Sequence, residues 1–281
     1  MAVLENASST AVSHFEFGAN WRQYLKKLTP ERIDSAKSSL LEFVGEDAIE
    51  GKSFLDVGCG SGLFSYAAHE LGAAKVTSFD IDPESVECCK ALRAKAGNPE
   101  NWTVLQGSVL DDTFTERLAA FDLVYSWGVL HHTGEMWRAI RSAARLVQVE
   151  GLFYIAIYNK VKSTFGSEFW LKVKKRYNSS SRRGKTAMEV SFLAYYYAMD
   201  LGGRALSVAR RQKQTARPRG MELRTDVIDW IGGYPYEFAS PDEMKSFMLR
   251  EFPFFTLVRV VETPALGNNS FLWRNDTRVA S

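Results

Sequence analysis

The chain has 281 residues, of which 46% are apolar and 24% charged, enough for one sizeable core without disulfide or metal support. Its three cysteines, Cys59, Cys88 and Cys89, form no disulfide framework pattern, and no apolar run is long enough to span a bilayer. The net charge of +2 conceals a segregation, since residues 159–220 hold fifteen Lys/Arg against three acids, leaving twenty basic and thirty acidic residues elsewhere, so one segment is suited to an anionic partner.

Residues 1–13 are small and polar and are predicted to fray. They lack a basic start followed by an apolar run, so no signal peptide is expected, and the free thiols fit a reducing, cytoplasmic setting. Trp21, Tyr24, Leu25 and Leu28 fall at helical spacing before Pro30, and a second helix is predicted from about Glu31. Short apolar strands then alternate with helices. Strands are predicted at 53–57, 75–80, 102–106, 121–126 and 151–158, with helices at 63–71, 83–96 and 136–146.

The alternation stops at Asn159. The basic stretch to about Ala239 reads as two or three helices, one of them running through Met188 to Arg211. Ser240-Pro241-Asp242-Glu243 is a helix start with proline in the first helical position, and strands follow at 255–261 and 270–274. Strands alternating with helices imply right-handed crossovers and an α/β, doubly wound, mostly parallel sheet of seven strands. Three parts are expected: an N-terminal helical segment (1–49), a core (50–158 and 240–281), and a basic helical lid (159–239) inserted between strands five and six.

The first strand runs into Asp56-Val57-Gly58-Cys59-Gly60-Ser61-Gly62 and then a helix. Such a unit binds nucleotides, because glycines let a ligand approach the backbone and the helix start offers free N–H groups. The glycine spacing is tighter than the dinucleotide fingerprint, which suits a ligand without a pyrophosphate. Asp56 would set a carboxylate near a cationic, amino-bearing ligand. An ordinary strand-to-helix turn is the competing reading, and Asp80 weighs against it. Asp80 ends the second strand, where an acid accepts both ribose hydroxyls. Asp82, just before Pro83, reads as a helix cap.

These segments resemble the motifs of class I S-adenosylmethionine-dependent methyltransferases over roughly residues 50–158 and 240–281. Leu55 to Gly62 is similar to the family's first motif and Phe79-Asp80-Ile81-Asp82-Pro83 to its second. Phe121-Asp122-Leu123-Val124 with Trp127-Gly128-Val129-Leu130-His131-His132 resembles the fourth. Before the fifth strand Val149-Glu150-Gly151 stands where the family carries a Pro-Gly-Gly turn. The resemblance implies a Rossmann-like fold and S-adenosyl-L-methionine as cofactor. It implies cofactor contacts from Asp56, Gly58, Gly60, Gly62, Asp80, Ile81, Ser108, Val109, Ser126 and Trp127. Where the family often has an acid on the adenine amino group, this chain has Gly107-Ser108-Val109, so Ser108 or the Val109 backbone is expected to read the adenine edge.

His131 and His132 follow the fourth strand, at the edge where such sheets bind ligands. A neutral imidazole there can take a proton from the acceptor; a packing motif at a helix start is the plainer reading. Tyr158 is the third catalytic candidate. Asn159, Tyr234, Tyr236, Glu237 and Trp21 are candidate substrate contacts. N-terminal segments, here including Phe15 and Phe17, cover the cofactor in this fold by analogy. The four histidines have no zinc-ligand spacing, so no metal is expected.

The insertion carries Lys172, Lys174, Lys175, Arg176, Arg182, Arg183, Lys185, Arg210, Arg211, Lys213, Arg217 and Arg219, with aromatics interleaved. It reads as a lid for an anionic small substrate, a contact for an anionic membrane surface, an RNA-docking element, or a solvated helical cap. Nucleic acid is the weakest of these, because no Asn/Asp-Pro-Pro-aromatic or Pro-Cys motif follows the fourth strand. The expected activity is methylation of oxygen, less readily nitrogen, on a small or lipid-linked metabolite, by loose resemblance to quinone-pathway O-methyltransferases. The alternatives are an RNA methyltransferase docking through the insertion and a non-catalytic cofactor-binding regulatory partner.

Overall fold

Seven strands form one sheet in the order β3-β2-β1-β4-β5-β7-β6. In chain order the elements are α1 (Gly18–Lys26), α2 (Pro30–Val44), β1 (Ser53–Val57), α3 (Leu63–Glu70), β2 (Lys75–Asp80), α4 (Pro83–Lys95), β3 (Trp102–Gln106), α5 (Asp112–Thr115) and β4 (Phe121–Trp127). There follow α6 (Met136–Ala144), β5 (Val147–Tyr158), α7 (Ser167–Asn178), α8 (Arg182–Ala209), α9 (Pro241–Glu251), β6 (Phe255–Val261) and β7 (Asn268–Asn275). This computed structural model describes residues 18–26, 28–209 and 230–276. The expectations for residues 1–13, Phe15 and Phe17, and for Arg210, Arg211, Lys213, Arg217 and Arg219, lie outside the described residues.

β1 to β5 pair in parallel, and β7 runs antiparallel to both β5 and β6. The order reverses between β1 and β4, which opens the crevice of a doubly wound sheet at the carboxyl ends of those strands. Buried side chains alternate between two cores. On one face Leu55, Val124, Phe153, Ile155 and Trp273 pack on α6 and α9 through Ile140, Ala143, Met244 and Met248. On the other, Phe54, Val76, Leu123 and Tyr154 pack on Leu40 and Phe43 of α2, Ala68 of α3 and Leu92 of α4.

Helix starts follow local chemistry. The Asp82 carboxylate accepts from the N–H groups of Glu84 and Ser85 with Pro83 next in line, and Ser240 with Glu243 forms a capping box ahead of α9. One boundary differs from expectation. β5 begins at Val147, not 151, because the chain passes Glu150 at φ 63° and stays paired on both sides of it. The long helix α8 begins at Arg182, six residues earlier than expected. Among the described residues no helix is long and apolar enough to cross a membrane.

Candidate active site

The loop after β1 is shaped by what presses on it. Gly58 and Gly60 sit at φ 74° and 52°, a region costly for other residues. A Cβ on Gly58 would come within 2.3 Å of Val129, and one on Gly60 within 2.9 Å of the Trp21 ring. Side chains are thus excluded for both backbone and packing reasons. Gly62 is the N-terminal cap residue of α3, so the helix opens where the loop ends.

Asp80 closes the cradle. Its Oδ2 accepts from the Gly60 N–H at 3.0 Å and its Oδ1 from the Asp82 N–H at 2.9 Å. Each oxygen keeps a second lone-pair site for a hydroxyl donor. Beside it, Ile81 is 64% exposed, an apolar side chain offered to solvent at a ligand edge. Val109 is buried and Ser108 turns its hydroxyl to the Leu110 N–H. A glycine cradle, a two-oxygen acid and an apolar shelf fit an adenosyl group, with the Asp80 carboxylate for the ribose and Ile81 for the base.

Asp56 lies under the loop. It is buried, accepts from the Ser65 hydroxyl at 2.5 Å, and is pushed up to about 7 by burial, with a further push from the Asp80 charge. Behind it the indole N–H of Trp102 donates to Ser78, and Ser78 donates to Ser65. A neighbouring cation would return Asp56 to its charged form.

Several expected contacts point elsewhere. Ser126 is fully buried and its hydroxyl donates to the Val57 carbonyl, so it ties β4 to β1 and offers a ligand no side-chain contact. The Asn159 amide donates to the carbonyls of Thr263 and Ala265 and accepts from Asn269, fixing the end of β5 to the approach to β7. Both oxygens of Glu237 accept from the Met136 N–H, which caps α6. Trp21 stands on the glycine loop over Gly60, with its ring edge-on to Tyr24. Trp127 and Tyr234 are half-buried, Trp127 at the end of β4 and Tyr234 in the loop before Pro235.

The two histidines occupy a short helical turn after β4 and are not equivalent. His131 is fully buried, and its Nδ1 faces the Tyr158 N–H at 3.1 Å. An N–H only donates, so Nδ1 holds the lone pair and the proton of neutral His131 is on Nε2. That Nε2 is buried and has no hydrogen-bond partner among the described residues. Burial, then the His132 and Lys174 charges, hold the ring well below the usual imidazole range. His132 Nδ1 lies 2.6 Å from the Pro235 carbonyl. A carbonyl only accepts, so Nδ1 carries the proton and Nε2 the lone pair. The rings are 4.4 Å apart. In their neutral forms His131 thus holds its proton, and His132 its lone pair, on Nε2, where the sequence left the two level.

Around Tyr158 stands a group the sequence did not reveal. The Lys174 side chain is fully buried; its ammonium lies 4.6 Å from the Trp230 ring, 4.7 Å from Tyr236 and 5.7 Å from Tyr158, and donates to the Trp230 carbonyl. A signal for it existed. On α7, Lys174 shares a face with buried Ser167 and Tyr177, seven and three residues away. In the sequence it stands as one of many cations of the insertion, with nothing to set it apart.

Residues 55–155 match the model of a methyltransferase domain. A ubiquinone biosynthesis O-methyltransferase of Methylobacterium nodulans is 29% identical over 166 residues, 55% of this chain and 65% of that protein. One from Methylobacterium sp. strain 4-46 is 31% identical over 43% of this chain and 47% of that protein. The chain thus spans less than two thirds of the length of these relatives. Among solved structures, the magnesium protoporphyrin IX methyltransferase of Synechocystis PCC 6803 with bound SAH superposes with a TM-score of 0.52 at 14% identity, covering 92% of this chain and 94% of that one. An O-methyltransferase family protein from Burkholderia thailandensis gives 0.55 at 11%, covering 93% and 59%. At these identities the likeness is one of fold.

Proposed function

Since the chain carries a class I S-adenosylmethionine-dependent methyltransferase domain, we propose that it methylates an oxygen of a small or lipid-linked metabolite, with His132 as the base. The cofactor, when bound, supplies a methyl group already activated on a sulfonium. Asp80 and the glycine loop hold the adenosyl end, and the Asp56 carboxylate lies near the loop as counter-charge. Most of the rate then comes from alignment of the acceptor oxygen in line with the methyl carbon. The acceptor oxygen would take the methyl group the cofactor supplies, and its hydroxyl proton would pass to Nε2 of His132. The imidazolium so formed is supported by its Nδ1–H bond to the Pro235 carbonyl. The opposite tautomers of the two histidines, at the β4 edge next to the glycine loop, carry this reading. An oxygen acceptor is favoured over nitrogen by the names of the curated relatives.

Calorimetry with S-adenosylmethionine tests the cofactor half. Saturable binding is expected, and Asp80→Ala should weaken it by about tenfold or more, the loss of charge-assisted hydrogen bonds to the ribose. Undetectable binding, or binding indifferent to Asp80→Ala, defeats the assignment. Labelled methyl transfer into cell extract, followed by product identification, tests the acceptor. His132→Ala should abolish label transfer while cofactor affinity holds.

A further inference from the structure

We infer that the aromatic box around Lys174 is the acceptor's recognition site, and that it takes a flat, anionic oxygen group such as an aryl carboxylate or phenolate. This rests on the methyltransferase reading for its place in the reaction, but not for its chemistry. Three segments distant in sequence meet there: Tyr158 at the carboxyl edge of β5, Lys174 on α7, and Trp230 with Tyr236 on the stretch that returns from the insertion to the sheet. Tyr158 is the centre of the group, with ring centroids 3.9 Å from His131, 5.4 Å from Trp230 and 4.9 Å from Tyr236.

The buried donors decide the ligand. The buried Tyr236 hydroxyl has the Ser167 side chain beside it, while His131 Nε2 is buried with no hydrogen-bond partner among the described residues. Buried polar atoms are rarely left so, and each asks for an explanation. Both are donors here. His131 carries its proton on Nε2 for the reason given above, and burial pushes the Tyr236 phenol up to about 12, so it keeps its proton at neutral pH. The buried ammonium is a third donor and brings positive charge. Donors call for an acceptor ligand, and a desolvated ammonium favours one with negative charge. The rings of Tyr158, Trp230 and Tyr236 surround the ammonium, so a ligand that meets it lies among rings, which favours a flat partner. Placed there, an oxyanion of the acceptor would sit beside His131 while a neighbouring hydroxyl presents itself to His132.

The test uses the full chain with S-adenosylhomocysteine, titrated calorimetrically with 4-hydroxybenzoate and with its neutral isostere 4-hydroxybenzamide. The carboxylate should bind about tenfold tighter or more, the scale of one charge-assisted contact in a dry site. Lys174→Met should bring the two ligands to within about twofold of each other, and Lys174→Arg should retain the preference. Tyr236→Phe removes one hydroxyl and little else. It should weaken carboxylate binding about fivefold without changing S-adenosylhomocysteine affinity, so the inference stays open to refutation even if Lys174→Met fails to fold. Equal affinity for the two probes, no saturable binding of either, or a preference that survives Lys174→Met overturns it. Failure to bind S-adenosylhomocysteine would instead count against the methyltransferase reading, since the charge preference is measured separately from it.

Discussion

A carboxyl group under the glycine loop sets a conflict between stability and binding. Asp56 is pushed up to about 7 by burial, against a usual value of 3.8. The folded chain therefore holds this proton more tightly than the unfolded one. Its contribution to stability is present in full below 3.8 and is lost as pH rises through about 7. The slope in that window is about 1.4 kcal/mol per pH unit for one proton. Without cofactor, the melting temperature of wild type should fall between pH 5 and 7.5. Asp56→Asn, an uncharged near-isostere, should flatten that fall and melt higher at pH 7.5. The same variant should bind S-adenosylmethionine more weakly, because a cationic ligand needs the charged acid. Cofactor binding by wild type at pH 6 should release a proton, seen as a dependence of the calorimetric heat on buffer ionisation enthalpy. Identical melting profiles for the two proteins would show that Asp56 does not titrate in this range.

Between elements, the return stretch from the insertion is stitched to the turn that carries the histidines. The Glu237 N–H donates to the His131 carbonyl at 2.9 Å, both Glu237 oxygens accept from the Met136 N–H at 3.1 and 3.0 Å, and the Pro235 carbonyl accepts from the His132 Nδ1–H. Two chain segments a hundred residues apart thus fix one imidazole tautomer. Glu237→Ala should cost about 1 kcal/mol as a lost helix cap. It should also move His132 toward the mixed tautomer of a free imidazole, read by ring ¹⁵N shifts. A destabilised variant with unchanged ¹⁵N shifts would reduce Glu237 to a cap. Here lies the boundary of what sequence can show. β1, β2, β3 and β6 are short apolar runs between glycine, proline and polar residues, and their limits were legible from those neighbours. The glycine loop and Asp80 are local devices, readable from spacing. Ser126, Asn159 and Glu237 sit where expected along the chain, but their side chains turn to Val57, Thr263 and Met136. Those directions come from tertiary pairing, which spacing does not encode. Lys174 is the extreme case, because its burial is made by rings from two other segments.

At the scale of the molecule, the segregated charge meets the exposed apolar residues on the same insertion. Phe165 is 68% exposed and its ring lies edge-on to Phe169 at 5.2 Å, at the head of α7, while Lys172, Lys175 and Arg176 are exposed further along that helix and Arg182 and Arg183 at the start of α8. Solvated rings ringed by cations are suited to the headgroup region of an anionic bilayer, where rings enter the interface and lysine and arginine face the phosphates. Such a surface would also bring the crevice to an acceptor held in a membrane, consistent with a lipid-linked substrate. The expected outcome is co-sedimentation of the full chain with vesicles of phosphatidylcholine and phosphatidylserine, and none with phosphatidylcholine alone. Each surface cation is worth about 1 kcal/mol near such a membrane, so Lys172→Glu with Arg176→Glu should release most of the protein at physiological salt. Phe165→Ala should weaken binding at every salt concentration, because its contribution is apolar, whereas the charge-reversal loss should be overcome by lowering the ionic strength. The two variants therefore separate the two forces. Binding that ignores both substitutions would place the contact elsewhere, and equal binding to neutral vesicles would remove electrostatics from it. Lys172 and Arg176 stand two residues either side of Lys174 on α7, which places them on the opposite face of that helix, so cofactor affinity should stay constant across the series.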